Sequence, residues 1–114
     1  MTPGLLQVTT TSGSRPDAEK LALQLVAERL AACSQVSGPL TSHYWWEGRM
    51  DSAEEWYCML KTTAALFPAL ETRIRQLHPY QNPEIIAVPI TGAGEAYAAW
   101  VAANVAVPSG GRAP

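Results

Sequence analysis

This chain of 114 residues has little of what several function classes require. Lysine and arginine together number eight, against ten acidic residues, for a formal charge of −2, and the eight are scattered along the chain. Tracking a nucleic-acid backbone needs clustered cations that displace counterions, so a general nucleic-acid binder is excluded. No apolar run approaches the roughly 20 residues that cross a bilayer. Met1-Thr2-Pro3 leads into a strand pattern with no basic and then apolar leader, so the expected location is cytoplasmic. The two cysteines, Cys33 and Cys58, are too far apart for a CxxC motif and are expected as buried thiols rather than a disulfide. Neither GxGxxG nor GKS/T occurs, no HxxxH pair exists, and no Ser/His/Asp or paired-carboxylate constellation can be assembled, so no enzyme activity is expected.

What is present fits one domain with a single core, expected over residues 1–107, with a disordered tail over 108–114. Leu5 to Thr11 reads as a strand, stopped by Ser12-Gly13. Ser14, Pro16 and Asp17 read as the cap and first turn of a helix, whose apolar positions recur every three or four residues to about Ala32. A long strand from Ser34 to Trp46, bent at Gly38-Pro39, then a turn at Glu47-Gly48-Arg49 and a strand from about Glu54 to Thr62 make an extended hairpin. A second helix capped by Thr63 carries Leu66, Leu70, Ile74 and Leu77 on one side, with Glu71 and Arg75 spaced as an i,i+4 ion pair. Ile85 to Ile90 is a short strand that Pro89 places at a sheet edge, and a last helix carries Tyr97, Trp100, Val101 and Asn104. The order βαββαβ plus a terminal helix predicts an α+β, ferredoxin-like fold: both helices on one face of a four-stranded antiparallel sheet, a long β2–β3 hairpin and an additional C-terminal helix.

That fold leaves one sheet face open, and its residues are unusual for a wet surface. Adjacent Trp45 and Trp46 point to opposite sides of a strand, while Tyr57 and Met59 alternate away from Leu60 onto the face of Gln7 and Thr9. An exposed tryptophan forgoes on the order of 4–6 kcal/mol of burial as an upper bound. Another subunit is therefore expected to cover part of this face.

The chemistry is concentrated in His78-Pro79-Tyr80-Gln81-Asn82-Pro83-Glu84, a connection stiffened by two prolines. His78 and Glu84 are the candidate metal ligands, with His43, Cys33 and Cys58 as further donors in principle. The turn Thr11 to Arg15 precedes a helix and could receive an anion, but ordinary capping is the stronger reading. Glu55 and Lys61 share a strand face but stand six residues apart, so each needs a partner elsewhere.

Five segments resemble, in order and spacing, the CutA divalent-cation tolerance family: Ala18-Glu19-Lys20-Leu21-Ala22, Glu28-Arg29-Leu30-Ala31-Ala32-Cys33, Tyr44-Trp45-Trp46-Glu47-Gly48, Lys61-Thr62-Thr63, and His78-Pro79-Tyr80 through Pro83-Glu84. The resemblance covers about residues 5–104. It implies a ferredoxin-like subunit in a homotrimer, with Trp45, Trp46, Tyr57 and Met59 at the trimer interface and Trp46, Glu55, Lys61 and Tyr80 lining an inter-subunit cleft. It also implies tolerance of divalent metals, copper especially, with His78 as the metal-binding histidine. No obligatory cofactor is expected; Cu2+ is the candidate ion. Some members carry a cysteine near the end of the first strand where this chain has Thr10. A copper site would then rest on His78, with Glu84, and on donors from a second subunit. Two other classes compete: a small-molecule signalling trimer like the PII regulators, and an acylphosphatase, for which Arg15 alone is a thin basis.

Overall fold

The protein is described by a computed structural model over residues 4–107; the tail expected to be disordered lies outside the described residues. Its elements are β1 (Leu5–Ser12), α1 (Arg15–Ala27), β2 (Cys33–Trp46), β3 (Arg49–Thr63), a 3-10 turn (Ala64–Leu66), α2 (Phe67–Leu77), β4 (Ile86–Pro89) and α3 (Glu95–Ala103). The strands form one antiparallel sheet in the order β2-β3-β1-β4, the ferredoxin-like arrangement expected. β4 is an edge strand, so Pro89, which has no N–H to donate, loses no ladder bond beyond it.

Local chemistry accounts for the element boundaries. Ser14 Oγ accepts the Asp17 backbone N–H at 3.2 Å and Pro16 lies in the first turn, so α1 begins as the sequence predicts. It ends at Ala27, five residues before the expected Ala32. The Leu30 N–H donates to the Leu25 carbonyl and the Arg29 N–H to the Val26 carbonyl, with Arg29 at φ 61°. This is a Schellman termination with arginine where glycine is usual, which is why the sequence hides it. The chain then turns directly into β2: the Ala32 N–H donates to the Lys61 carbonyl, and Thr62 Oγ1 donates to the Leu30 carbonyl.

β3 begins at Arg49 rather than near Glu54, because the hairpin turn is the two-residue Glu47-Gly48, both with positive φ, and Trp46 pairs directly with Arg49. The expected bend falls where the register slips between Ser37 and Leu40; the Gly38-Pro39 peptide is cis. A Cβ on Gly38 would lie 2.5 Å from Trp56 Cδ1, so only glycine lets the indole pack on the bend. Thr63 precedes the 3-10 turn and makes no side-chain cap, so α2 starts three residues later than a Thr63 cap implies, with Pro68 in its first turn.

The core lies between the sheet and α1 and α2. Val8, Cys58 and Leu60 from one sheet face meet Leu21, Leu25, Leu70 and Ile74 from the helices, all buried. Directly paired residues share a face, so Gln7 with Lys61 and Val88, Thr9 with Met59 and Ile86, and Thr11 with Tyr57 occupy the opposite face. α3 covers only one end of that face. Val101 seats against Leu5 and Ala32, and Tyr97 Oη lies 3.4 Å from Cys33 Sγ. Tyr97 and Trp100 share one side of α3 as expected and stack on each other at a 5.8 Å centroid separation; both stay exposed while Val101 is buried.

Candidate functional site

α2 delivers His78 to the site. Its backbone N–H closes the helix on the Ile74 carbonyl at 2.8 Å, and the ring turns inward to 7% exposure. His78 Nδ1 accepts the Tyr80 backbone N–H at 3.0 Å. Nε2 therefore carries the proton and donates to the Thr11 carbonyl at 2.6 Å. The imidazole thus bridges the 78–84 loop to the end of β1, and both ring nitrogens are engaged. Ligation of a metal by His78 would require one of these two bonds to break.

The brace sets the position of Tyr80, whose ring centroid is 4.7 Å from that of His78. Tyr80 Oη donates to Glu55 Oε2 at 2.9 Å. Gly13 admits the phenol, because a Cβ there would stand 3.0 Å from Tyr80 Oη. Burial, the Glu55 bond and the Glu55 charge together push the Tyr80 phenol up to about 12, so it remains a proton donor at neutral pH. Glu55 is 8% exposed and reaches the site from the hairpin, where it pairs with Leu40. Glu84 lies across from it: burial first, and the Glu55 charge second, raise the Glu84 carboxyl above its ordinary value.

These groups border a groove of about 790 Å³ between the hairpin and the 80–84 loop. Its walls include Tyr44, Trp46 and Tyr57 from the hairpin, Tyr80 from the loop, and the carboxylates of Asp51, Glu55 and Glu84. Tyr44 pairs with Asp51 and so shares a face with Glu55 two register steps away. That pair escaped the sequence reading, although a two-residue turn at Glu47-Gly48 counts back to it. The Thr11 carbonyl, the anchor for His78, has no side-chain signature at all.

Other expected participants lie elsewhere. Lys61 is not among the residues lining the groove; its Nζ donates to Gln35 Oε1 at 3.0 Å. Cys58 is buried on the helix-covered face, where burial pushes its thiol up to about 12, and Cys33 sits beside Tyr97. Thr10 pairs with Cys58 on that covered face and is fully buried, away from the groove. Arg15 pairs with Glu19 at 3.0 Å on the exposed side of α1. Among the described residues, no group of three or more His, Cys, Asp or Glu side chains converges as a metal cluster.

The family model described as CutA1 divalent ion tolerance protein matches residues 6–104. The chain belongs to the CutA1 family. A divalent-cation tolerance protein CutA of Thermus thermophilus is 41% identical over 97 residues, covering 85% of this chain and 94% of that one. The solved structure of the Thermus thermophilus protein superposes with a TM-score of 0.87 at 39% identity, over 90% of this chain and 99% of that one. CutA1 of Oryza sativa, at 31% identity, gives 0.88 over 92% and 96%. The CutA1 match runs from β1 into the end of α3, so it includes the hairpin, the His78 brace and every groove residue named above.

Proposed function

We propose that this chain acts in divalent-cation tolerance as a homotrimer that binds metal ions, Cu2+ among them, in a cleft between subunits. Family membership supports the general role. The observation that carries the site is the pairing of Glu55 and Glu84 at one groove, close enough for the charge of one to raise the carboxyl of the other. A cation relieves that repulsion directly. Two carboxylates do not complete a coordination shell, and with His78 engaged the missing donors come from a second subunit.

The uncovered sheet face supports the assembly. Met59, Ile86 and Val88 share that face, with Ile86 48% and Val88 52% exposed, and at the hairpin tip Trp45 is 75% and Met50 70% exposed. Such apolar surface marks a protein contact. Trp45 and Trp46, on opposite sides of β2, give the hairpin two faces to insert between neighbours, with Tyr57 and Met59 continuing the contact on the sheet.

Sedimentation equilibrium should give a mass about three times the 12.3 kDa of the chain, and Ile86→Glu should lower it. Cu2+ titrated by calorimetry into the trimer should bind with an affinity that falls at least tenfold in Glu84→Gln. A 12.3 kDa species in the unsubstituted protein contradicts the trimer. Identical isotherms for the unsubstituted protein and Glu84→Gln remove Glu84 from the site.

A further inference from the structure

We infer that the hydrogen bond from Tyr80 to Glu55 aims the β2–β3 hairpin for assembly. In the free subunit it fixes the projecting arm to the body, so the arm meets a second copy of the chain already in its docked direction. The inference rests on the reading that the hairpin reaches a neighbouring subunit. β1 pairs with β3 only as far as Ser12 opposite Trp56, and β4 pairs only with Leu6 to Thr9 of β1. Beyond Trp56 the hairpin runs on as a two-stranded ribbon, from Leu40 opposite Glu55 to Trp46 opposite Arg49. No residue from Leu40 to Glu54 is buried within the subunit, whereas Glu55 at the root is. A two-stranded ribbon without a packed face is marginal by itself and does not fix its own direction.

The root of the arm is held from both sides. Glu55 and Trp56 are consecutive in β3 and so point to opposite faces. On one face the Trp56 indole packs on Gly38 and stiffens the ribbon where its register slips. On the other, Tyr80 Oη donates to Glu55 Oε2 at 2.9 Å. Tyr80 is in turn tied to β1, because its N–H donates to His78 Nδ1 while His78 Nε2 donates to the Thr11 carbonyl. Among the described residues, no other side-chain hydrogen bond or ion pair joins residues 40–55 to anything outside the hairpin. Tyr80 is thus a positioning residue, and the body steers the arm through it. Direction matters because head-to-tail contacts close a ring only at the right rotation, and every subunit of the ring repeats an error in the arm. An arm ordered before encounter also spares association the entropy of ordering it.

The test follows the full chain after rapid dilution from guanidinium into buffer with EDTA, over a range of protein concentrations. Far-UV circular dichroism reports folding of the subunit and light scattering reports association. Tyr80→Phe, which deletes only the hydroxyl, should slow the concentration-dependent step by about tenfold, the equivalent of one neutral hydrogen bond. Its folding step, and the rate at which finished assemblies exchange subunits, should stay within about twofold of the original, because neighbours hold the arm once it has docked. His78→Gln, which keeps the Thr11 bond and drops the one to the Tyr80 N–H, should slow the same step severalfold. Glu55→Gln, whose amide oxygen still accepts from the phenol, should associate at the original rate. An association step unchanged in both Tyr80→Phe and His78→Gln overturns the inference. So does subunit exchange that accelerates as much as association slows, since the bond would then hold the assembled interface rather than aim the arm. An unsubstituted protein with no concentration-dependent step and a mass of 12.3 kDa is a separate failure, that of the assembly reading itself.

Discussion

Replacing His78 separates bracing from ligation. In His78→Ala the Thr11 carbonyl and the Tyr80 N–H both lose their partner. Each buried group left unpaired costs about 1–3 kcal/mol, and the emptied ring volume adds to this, so a total loss of about 3–5 kcal/mol is expected. The assay is chemical denaturation at fixed protein concentration, because the proposed assembly would make apparent stability concentration-dependent. Two partial replacements dissect the brace. His78→Asn offers an oxygen where Nδ1 stood and keeps the bond to the Tyr80 N–H; His78→Gln offers an N–H near Nε2 and keeps the bond to the Thr11 carbonyl. Each should recover about 1–2 kcal/mol of the loss. A His78→Ala protein within about 0.5 kcal/mol of the original, but unable to bind Cu2+, would refute the reasoning and make the imidazole a ligand.

Among the described residues Thr10 Oγ1 is buried without a hydrogen-bond partner, so Thr10→Val should stabilise the protein by about 1 kcal/mol in the same denaturation assay. Arg29→Gly should add about 0.5–1 kcal/mol, by removing a side chain from a left-handed helix terminus. Gly38→Ala should cost at least about 1–3 kcal/mol, since the new methyl meets the Trp56 indole. The raised Glu84 carboxyl keeps its proton more firmly in the folded protein than in the unfolded chain. This group therefore contributes stability below its ordinary carboxylate value, and the contribution is lost as pH rises through the raised one. Denaturation midpoints of Glu84→Gln should lack that slope, while Cu2+ affinity of the original should rise across the same window as the carboxylate is freed.

The architecture was legible because its signals are local. Period-two alternation placed Tyr57 and Met59 opposite Leu60, and Ser14 with Pro16 placed the start of α1. The α1 terminus was misread because a helix stop usually announces itself with glycine, and here Arg29 adopts the left-handed conformation under contacts from residues far along the chain, including the Ala106 N–H on its carbonyl. At the site, residue types were legible and their relations were not. His78, Tyr80 and Glu84 stood out as a dense loop, but the partner of Tyr80 is 25 residues upstream and that of His78 is a backbone carbonyl 67 residues away. Neither sequence spacing nor residue type encodes such partners.

Both borders of the sheet carry a proline. β4 holds Pro89, and β2, the other edge, is broken at Gly38-Pro39 by a slip in register. Free strand edges are the usual route to fibrils, and here each is interrupted where an incoming strand would seek a continuous run of donors. The sheet therefore resists growth along its hydrogen-bonding direction while its flat apolar side stays available. Strand addition at either edge is therefore disfavoured, and concentrated solutions should remain clear even though Trp45, Trp46 and Met50 are exposed.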